Sequence, residues 1–162
     1  MRRGGTLKKI EIFTDGACTG NPGKGGYGAV LIYNGNQKQI SRGFKKTTNN
    51  RMELLACIDA LKMLKEPCQV DLYSDSKYLT DAVNKNWLSG WIKNGWKKAD
   101  RKPVLNVDLW TEIARLTQMH SVNFIWVKGH AGNMFNELCD RLAVDAYTNA
   151  ATFTDEEYEK NL

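Results

Sequence analysis

The sequence predicts one α/β domain built on a mixed five-stranded sheet, in which an antiparallel meander is followed by parallel strands and helices flank the sheet. Two observations support this fold class. Three β-prone segments come first, with only short turns between them, and helical and β-prone segments then alternate to the end of the chain. Short turns join antiparallel neighbours, whereas a strand–helix–strand crossover places its strands parallel. The length of 162 residues is typical of a single domain.

The meander is predicted from the N-terminal part of the chain. Residues 10–15 alternate between apolar and polar side chains and then meet a glycine, which is typical of a strand that ends at a turn. Residues 27–33 are apolar and β-prone, and Asn34 and Gly35 form a hairpin signal after them. Residues 37–46 are therefore the third strand.

The alternating part begins with a helix whose apolar residues recur at helical spacing and which Pro67 closes. The strand that follows this helix lies parallel to an earlier strand, through a right-handed connection. The predicted elements of this part, in order, are a helix at 52–64, a strand at 70–74, a helix at 76–84, a segment rich in tryptophan and lysine at 87–98, a helix at 107–118, a strand at 122–127 and a helix at 134–150.

Composition argues against several classes of protein. Hydrophobic residues make up 42% of the chain, which is enough to form a core without disulfides. No apolar run approaches the roughly 20 residues of a membrane helix, and no apolar block of a signal peptide follows the basic start. The four cysteines have no C-x-x-C spacing and only two histidines accompany them, so no zinc site is predicted. We therefore expect a cytoplasmic protein with reduced thiols and no membrane association.

Charge is unevenly distributed along a chain whose net charge is +5. Residues 85–102 carry six basic side chains against the single acid Asp100, and residues 36–51 carry five with no acid. Such stretches favour a polyanionic partner, although a solvated basic face is an ordinary alternative. We divide the chain into a basic N-terminal extension at residues 1–6, a domain at 7–150 with a basic segment at about 85–103, and an acidic tail at 151–162.

Residues 23–28 match the G-x-G-x-x-G pattern of dinucleotide-binding folds. That chemistry needs a helix N-terminus directly after the glycines, because the helix N–H groups hold the pyrophosphate. Here the glycines lead into the β-prone residues 29–33. No dinucleotide site is therefore predicted, and we interpret these glycines as turn and bulge residues.

Four carboxylates are the candidates for catalysis. Asp15 and Asp75 end two strands that are expected to be parallel neighbours, and open α/β sheets bind ligands at the carboxyl ends of such strands. Glu53 lies in the first turn of the helix between them, and Asp140 lies on the last helix at the edge of its buried stripe. Each residue alone also fits an ordinary role, as a turn residue, a capping-box partner of Asn50, a helix cap or a solvated side chain.

Together the four acids predict a metal site. Crowded carboxylates repel one another and their pKa values rise, which costs stability unless a cation compensates. Hard divalent ions such as Mg²⁺ take oxygen ligands and bind substrate phosphates as well. Two such ions about 3.5–4 Å apart can clamp the attacking and leaving oxygens of a phosphoryl transfer. The acidic cluster and the basic stretches therefore both suit a phosphodiester substrate.

Other polar residues are candidates for supporting roles. His130 lies in a glycine-flanked loop after a strand, where it suits proton transfer near neutral pH, although a solvated loop histidine is equally expected. Trp87 and Trp91 are one helical turn apart, so we expect them to pack in the core while the neighbouring cations meet phosphates. Residues 47–50 begin a helix and offer small polar groups and N–H donors as a phosphate seat. His120 is expected to be structural.

These residues fall in ordered segments of the chain, which are FTDGAC (13–18), GNPG (20–23), GGYG (25–28), TTNNRMEL (47–54), DS (75–76), WVKGHAG (126–132) and NELCD (136–140). These segments resemble the motifs of bacterial type 1 ribonuclease H. The resemblance covers about residues 7–150. It implies a ribonuclease H-like fold and an endonuclease that cuts the RNA strand of RNA–DNA hybrids and leaves 5′-phosphate and 3′-hydroxyl ends.

The resemblance also implies roles for individual residues. The metal, two Mg²⁺ ions or Mn²⁺ as a substitute, would be held by Asp15, Glu53, Asp75 and Asp140. His130 would assist water activation or product release. The contacts to the hybrid would be Asn21, Thr48, Asn49, Trp87, Lys93, Lys97 and Lys98, the last four from the basic segment that grips the hybrid. Contacts to 2′-hydroxyl groups would tell the hybrid from DNA. Neither a dinucleotide nor a membrane is expected as a partner, and the protein would act as a monomer.

The chain departs from the family pattern in two places. Asn133, Met134 and Phe135 stand where relatives often carry His-Pro-Glu, which is expected to change the mobility of the loop beside His130 without removing a metal ligand. The segment near Lys85 is one residue longer than in the best-known relative. The acidic tail has no counterpart to which the resemblance gives a role.

Two other functions stay open at this point. One is a non-catalytic module that binds hybrids or duplexes, and the complete set of four acids argues against it. The other is a different metal nuclease, such as a proofreading exonuclease. Enzymes of that kind need an Asp-x-Glu pair on the first strand, whereas Asp15 is followed by Gly16 and Ala17.

Overall fold

The computed structural model describes residues 7–129, 133–149 and 151–160. The strands of these residues are β1 (Lys8–Cys18), β2 (Gly23–Tyr33), β3 (Asn36–Thr47), β4 (Cys68–Ser74), β5 (Ser121–Trp126) and β6 (Ala151–Phe153). They form one sheet in the spatial order β5-β4-β1-β2-β3-β6. β1, β2 and β3 are antiparallel neighbours, whereas β4 pairs parallel with β1 and β5 pairs parallel with β4. The predicted meander followed by parallel strands is therefore confirmed.

The sheet differs from the prediction in two respects. β1 does not end at Asp15 but continues to Cys18, because its last residues still pair with β2 after its pairing with β4 has ended. β6 is a sixth strand that the sequence did not predict, and it comes from the acidic tail. It pairs parallel with β3 at Gly43 and Phe44. The first part of the tail is thus docked on the edge of the sheet.

Helices cover both faces of the sheet. They are α1 (Asn49–Lys62), α2 (Lys77–Asn84), α3 (Trp87–Lys93), α4 (Val107–Met119), α5 (Met134–Asn149) and α6 (Glu156–Lys160). Ile12 of β1 belongs to the core that α1 and α4 form on one face, and Phe13 packs with Cys139 of α5 on the other. Consecutive strand residues point to opposite faces, so both faces of β1 are buried. None of the described helices is long and apolar enough to cross a membrane.

Two glycines of β2 let α5 approach the sheet closely. A Cβ atom at Gly28 would lie 2.5 Å from the carbonyl oxygen of Cys139, and one at Gly26 would lie 2.7 Å from that of Ala143. Both glycines pair within the strand, so their interpretation as turn residues is wrong. The register of β2 against β3 does shift between Gly23 and Gly25, as expected for a bulge. Because Asp140 follows Cys139, this close approach fixes its distance from the sheet.

The segment rich in tryptophan and lysine is only partly helical. α3 ends at Lys93, and the chain then returns on itself through a bridge between Lys97 and Pro103. Trp91 packs edge-on against Trp110, with ring centroids 5.5 Å apart, whereas 43% of Trp87 is exposed. The expectation of core packing therefore holds for Trp91 and is wrong for Trp87, which leaves Trp87 available at the surface.

Candidate active site

An acidic cleft opens where the parallel pairing of β1 and β4 ends. The last pair in that register joins Thr14 to Ser74, and Asp15 and Asp75 are the next residues of the two chains. The cleft has a volume of about 340 Å³. Its lining includes the four carboxylates that the sequence singled out, Asp15, Glu53, Asp75 and Asp140, together with Gly16, Asn49, Asn50, Ser76, Lys77 and Tyr78. Four residues that are distant in sequence thus share one small space.

Three of the four carboxylates lie close enough to one another to share a single ion. Asp15, Glu53 and Asp75 each present one carboxylate oxygen, and these oxygens all lie within 4.8 Å of one another. Asp15 and Glu53 are each only 4% exposed, whereas Asp75 and Asp140 are half-buried. Asp15 and Glu53 therefore form the buried floor of the cleft, and Asp75 and Asp140 form its more open rim.

Gly16 explains why Glu53 lies so close to Asp15. A Cβ atom at Gly16 would lie 2.6 Å from the backbone nitrogen of Glu53, so only glycine allows α1 to pass this close to β1. The N–H of Gly16 donates to Oδ1 of Asp15 at 2.9 Å and also to Oε1 of Glu53. One backbone donor thus holds two carboxylates side by side.

The helix-capping roles considered for Glu53 and Asp75 are filled by other residues. Thr48 is the N-cap of α1, and its side chain accepts from the N–H of Arg51 at 3.2 Å. Ser76 is the N-cap of α2 and accepts from the N–H of Leu79 at 3.2 Å. Neither Glu53 nor Asp75 is therefore needed as a helix cap.

Burial and mutual repulsion raise the pKa values of the buried acids. The pKa of Asp15 rises to about 8, first because the side chain is buried and then because the charges of Asp75 and Asp140 are near. The pKa of Glu53 also rises well above its usual value, through burial and then through the charges of Asp15 and Asp75. Without a metal, the fold therefore disfavours ionisation of both Asp15 and Glu53. A bound cation would favour the ionised form of both residues.

The donor set fits a hard divalent cation. Oε2 of Glu53 is buried and has no hydrogen-bond partner among the described residues. A buried carboxylate oxygen without a donor is costly, and an ion that takes oxygen ligands would satisfy it. The ligands on offer are carboxylates, which suit Mg²⁺ or Mn²⁺ better than a metal that prefers sulfur.

The end of β5 supports Asp75 from the other side. Nε1 of Trp126 donates to the backbone oxygen of Asp75 at 3.1 Å, and a Cβ atom at Gly129 would lie 2.8 Å from Oδ2 of Asp75. The chain after β5 thus passes directly beside the cleft. His130, the predicted proton-transfer residue, lies outside the described residues.

The predicted contacts to a substrate lie on two surfaces. Asn49 lines the acidic cleft, and its N–H donates to Oδ1 of Asn21 at 2.8 Å. Asn21 and Thr48 line a second cleft of about 900 Å³ beside the first. Thr47 does not belong to either surface because it is fully buried. The phosphate seat expected at residues 47–50 is therefore limited to its last three residues.

The basic segment is a separate exposed surface. Lys93, Lys97 and Lys98 are exposed, and the last two line a shallow surface together with Asn94, Ala99 and Arg101. The ammonium group of Lys85 lies over the ring of Trp87, 5.7 Å from its centroid. This arrangement offers an aromatic face and several cations to a polyanion.

Sequence reasoning missed Lys77 as a residue of the acidic cleft. Its ammonium group lies over the ring of Trp126, 4.7 Å from the centroid, and it is the only cation lining the cleft among the described residues. The sequence signal for Lys77 is its position two residues after Asp75. A helix that begins directly after a strand places its first residues beside the end of that strand, and therefore beside the cleft.

Replacing Asp15 by Asn tests the cost of ionising this buried acid beside the other carboxylates. The raised pKa means that the folded state binds more protons than the unfolded state between about pH 4 and pH 8, so the metal-free protein loses stability as the pH rises through this window. We expect Asp15→Asn to be more stable than the wild type by roughly 1–3 kcal/mol at pH 8 without divalent ions. The difference should vanish near pH 4 and shrink when Mg²⁺ is added.

Chemical denaturation at both pH values measures this difference in the free energy of unfolding. Asp145→Asn is a matched control, because Asp145 is exposed on the same helix as Asp140 and does not line the cleft. A metal-free Asp15→Asn variant that is no more stable than the wild type at pH 8 would contradict the account.

Comparison with known proteins identifies the family. A family model described as RNase H matches residues 7–148. Ribonuclease H of Acetivibrio thermocellus is 56% identical over 139 residues, which cover 86% of this chain and 95% of that protein. Ribonuclease H of Chlorobaculum parvum is 60% identical over 136 residues, which cover 84% of this chain and 93% of that protein.

Solved structures agree with this result. LC9-RNase H1, described as a type 1 RNase H with the type 2 active-site motif, superposes with a TM-score of 0.79 at 29% identity, covering 95% of this chain and 80% of that chain. LC11-RNase H1, solved in complex with an RNA/DNA hybrid, superposes with a TM-score of 0.68 at 25% identity, covering 88% of this chain and 99% of that chain. The chain belongs to the ribonuclease H family.

Proposed function

We propose that this protein is an endonuclease that cuts the RNA strand of RNA–DNA hybrids by metal-dependent hydrolysis and leaves 5′-phosphate and 3′-hydroxyl ends. The observation that carries the proposal is the group of three carboxylate oxygens within 4.8 Å of one another, at the strand ends of a ribonuclease H fold. The family relative LC11-RNase H1, which was solved with an RNA/DNA hybrid, supports the choice of substrate.

The metal ligands in this proposal are Asp15, Glu53, Asp75 and Asp140, and the metal is a pair of Mg²⁺ ions, for which Mn²⁺ can substitute. When bound, the ions lower the pKa of the attacking water and stabilise charge on the departing 3′ oxygen. Asp15 and Glu53 must be ionised to act as ligands, although the metal-free fold raises both pKa values. Binding of the metal is therefore expected to release protons.

The remaining residues of the proposal bind the hybrid or move protons. Asn21, Thr48 and Asn49 contact the substrate beside the acidic cleft, which their positions around α1 support. The exposed basic segment contacts the hybrid farther along through Trp87, Lys93, Lys97 and Lys98, and its three lysines meet phosphates. His130 assists water activation or product release. Its position in the sequence, directly after a glycine that touches Asp75, supports this role.

We also propose that the protein works in the cytoplasm as a monomer and uses neither a dinucleotide nor a membrane. The free thiols of Cys57 and Cys139, both buried, fit a reducing compartment. The exposed large apolar side chains are distributed over different elements, as in Ile92 of α3, Met119 of α4 and Phe153 of β6, which fits a chain without a large apolar interface.

Cleavage of a labelled hybrid whose ends are blocked tests the function. We expect the wild type to cut internally in Mg²⁺ and to be inactive with a chelator, because Lys77 alone among the described residues brings a positive charge to the four carboxylates of the cleft. Asp75→Asn should reduce the rate by about 10²-fold or more, since it removes a central ligand oxygen. Asp145→Asn, an exposed acid outside the cleft, should cut like the wild type.

Each failure in that assay has a distinct meaning. A wild-type protein that binds the hybrid but never cuts it would make the chain a binding module. A protein that cuts only free ends would make it an exonuclease. If Asp75→Asn cut as fast as the wild type, the assignment of the metal ligands would be wrong.

Neutralising the basic segment tests its contact with the hybrid. We expect the double variant Lys97→Gln, Lys98→Gln to bind hybrids more weakly, and the slope of log affinity against log salt to fall by about one for each lost phosphate contact. Fluorescence anisotropy over a range of salt concentrations measures both quantities. The double variant Lys9→Gln, Lys65→Gln has the same net charge but changes two exposed lysines elsewhere. If both double variants show the same salt slope, the basic segment does not grip the hybrid.

A further inference from the structure

We propose that Asp155 of the acidic tail is a positioning residue for hybrid binding, because it holds the first turn of α1 through Arg51. This inference rests on the proposed function. It gives a role to a segment that neither the sequence motifs nor the family resemblance explains, since the family model ends at residue 148. The tail is thus part of the substrate-binding apparatus.

Arg51 is a buried cation at a place where a cation needs compensation. It is 4% exposed and lies in the first turn of α1, where the helix dipole disfavours positive charge. Its guanidinium donates to Asp155 from Nε at 2.7 Å and from a terminal nitrogen at 3.0 Å. It also donates to both carboxylate oxygens of Asp108 on α4, at 2.9 Å and 2.6 Å. Two carboxylates therefore hold the start of α1 from two sides.

Asp155 also reaches the strand that leads into α1. The hydroxyl of Thr47, the last residue of β3, donates to Oδ2 of Asp155 at 2.6 Å. Asp155 itself is 8% exposed, so this carboxylate is compensated inside the protein rather than by water. The same carboxylate thus ties β3 and α1 together across the turn at Thr48.

The tail is anchored on both sides of Asp155. Before it, Phe153 packs against Phe44 at 5.8 Å between ring centroids, and the guanidinium of Arg42 lies 4.3 Å from the Phe153 ring. After it, the ring of Tyr158 lies 6.0 Å from the guanidinium of Arg51. These contacts bring the carboxylate to Arg51 in a fixed position.

The residues that Asp155 positions are the predicted hybrid contacts of α1. Thr48 caps the helix, and Asn49 is its first residue and donates to Asn21. Glu53 lies one turn farther along α1 and has a separate anchor, because the N–H of Gly16 holds its carboxylate. Loss of Asp155 is therefore expected to disturb hybrid binding more than the catalytic step.

Asp155→Asn separates this role from a purely structural one. It keeps the shape of the side chain but removes the charge that pairs with Arg51. At a temperature where every variant is folded, we expect KM to rise about 3–10-fold while kcat stays within about twofold. In an Asp75→Asn background, which blocks cleavage, the Kd for the hybrid should rise by the same factor. Asp155→Glu should recover part of the loss.

Asp59→Asn is the matched control. Asp59 lies on the same helix as Arg51 and accepts from Arg42 at 3.0 Å and from Tyr27, but it is remote from the first turn of α1. It should lower the melting temperature without changing KM. If Asp155→Asn lowers the melting temperature and leaves KM and Kd at wild-type values, the tail only stabilises the fold and the inference is overturned.

Two further measurements distinguish a wrong inference from a variant that does not fold and from a wrong proposed function. If Asp155→Asn does not fold, Thr47→Val removes a single hydrogen bond of Asp155, and it should raise KM by a smaller factor with kcat unchanged. An unchanged KM in that variant would overturn the inference. A wild-type protein that binds hybrids without cutting them would refute the proposed function, while a raised Kd in Asp155→Asn would still support positioning by the tail.

Discussion

The structure depends on the close approach of carboxyl groups that repel one another whenever they are ionised. Two parallel strands end together, and the helix that connects them returns against the first strand at a glycine. The carboxylates of Asp15, Glu53 and Asp75 are therefore held within 4.8 Å, and two of them are shielded from water. Burial and then mutual repulsion raise the pKa values of Asp15 and Glu53, so the metal-free protein is expected to be less stable at neutral pH, and a divalent cation that binds there relieves both effects.

The rest of the fold keeps this strained group in place. Both faces of β1 are covered, so the strand that carries Asp15 cannot tilt without opening two cores. α5 lies close enough to β2 for its backbone oxygens to touch glycines, which sets the position of Asp140. On the far side of α1, Arg51 is held by Asp108 and Asp155. Packing and close backbone approach thus act against the repulsion, whereas the ion pairs of Arg51 fix the start of the helix that carries Glu53.

Much of the site was predictable from local patterns, and the remainder depended on contacts between distant segments. The rule that ligands bind at strand ends placed Asp15 beside Asp75 although the end of β1 itself was misjudged. The glycines of β2 were misread because a pattern cannot distinguish a turn from a place where a helix approaches a strand. The acidic tail shows no periodicity, so neither β6 nor the burial of Asp155 has a signal in the sequence. Trp87 and Trp91 lie one helical turn apart, so their spacing predicts the same environment for both. Only the contact with Trp110, which is distant in sequence, shows that Trp91 packs against the core and Trp87 does not.

The most direct test of the central claim is to locate the ion. Crystals soaked in Mn²⁺ and measured at an X-ray energy where manganese scatters anomalously would show where the cation lies, independently of any activity. We expect an anomalous peak between the carboxylates of Asp15, Glu53 and Asp75, at metal–oxygen distances of about 2.0–2.5 Å. Saturating Mn²⁺ that leaves this space without a peak would contradict this expectation.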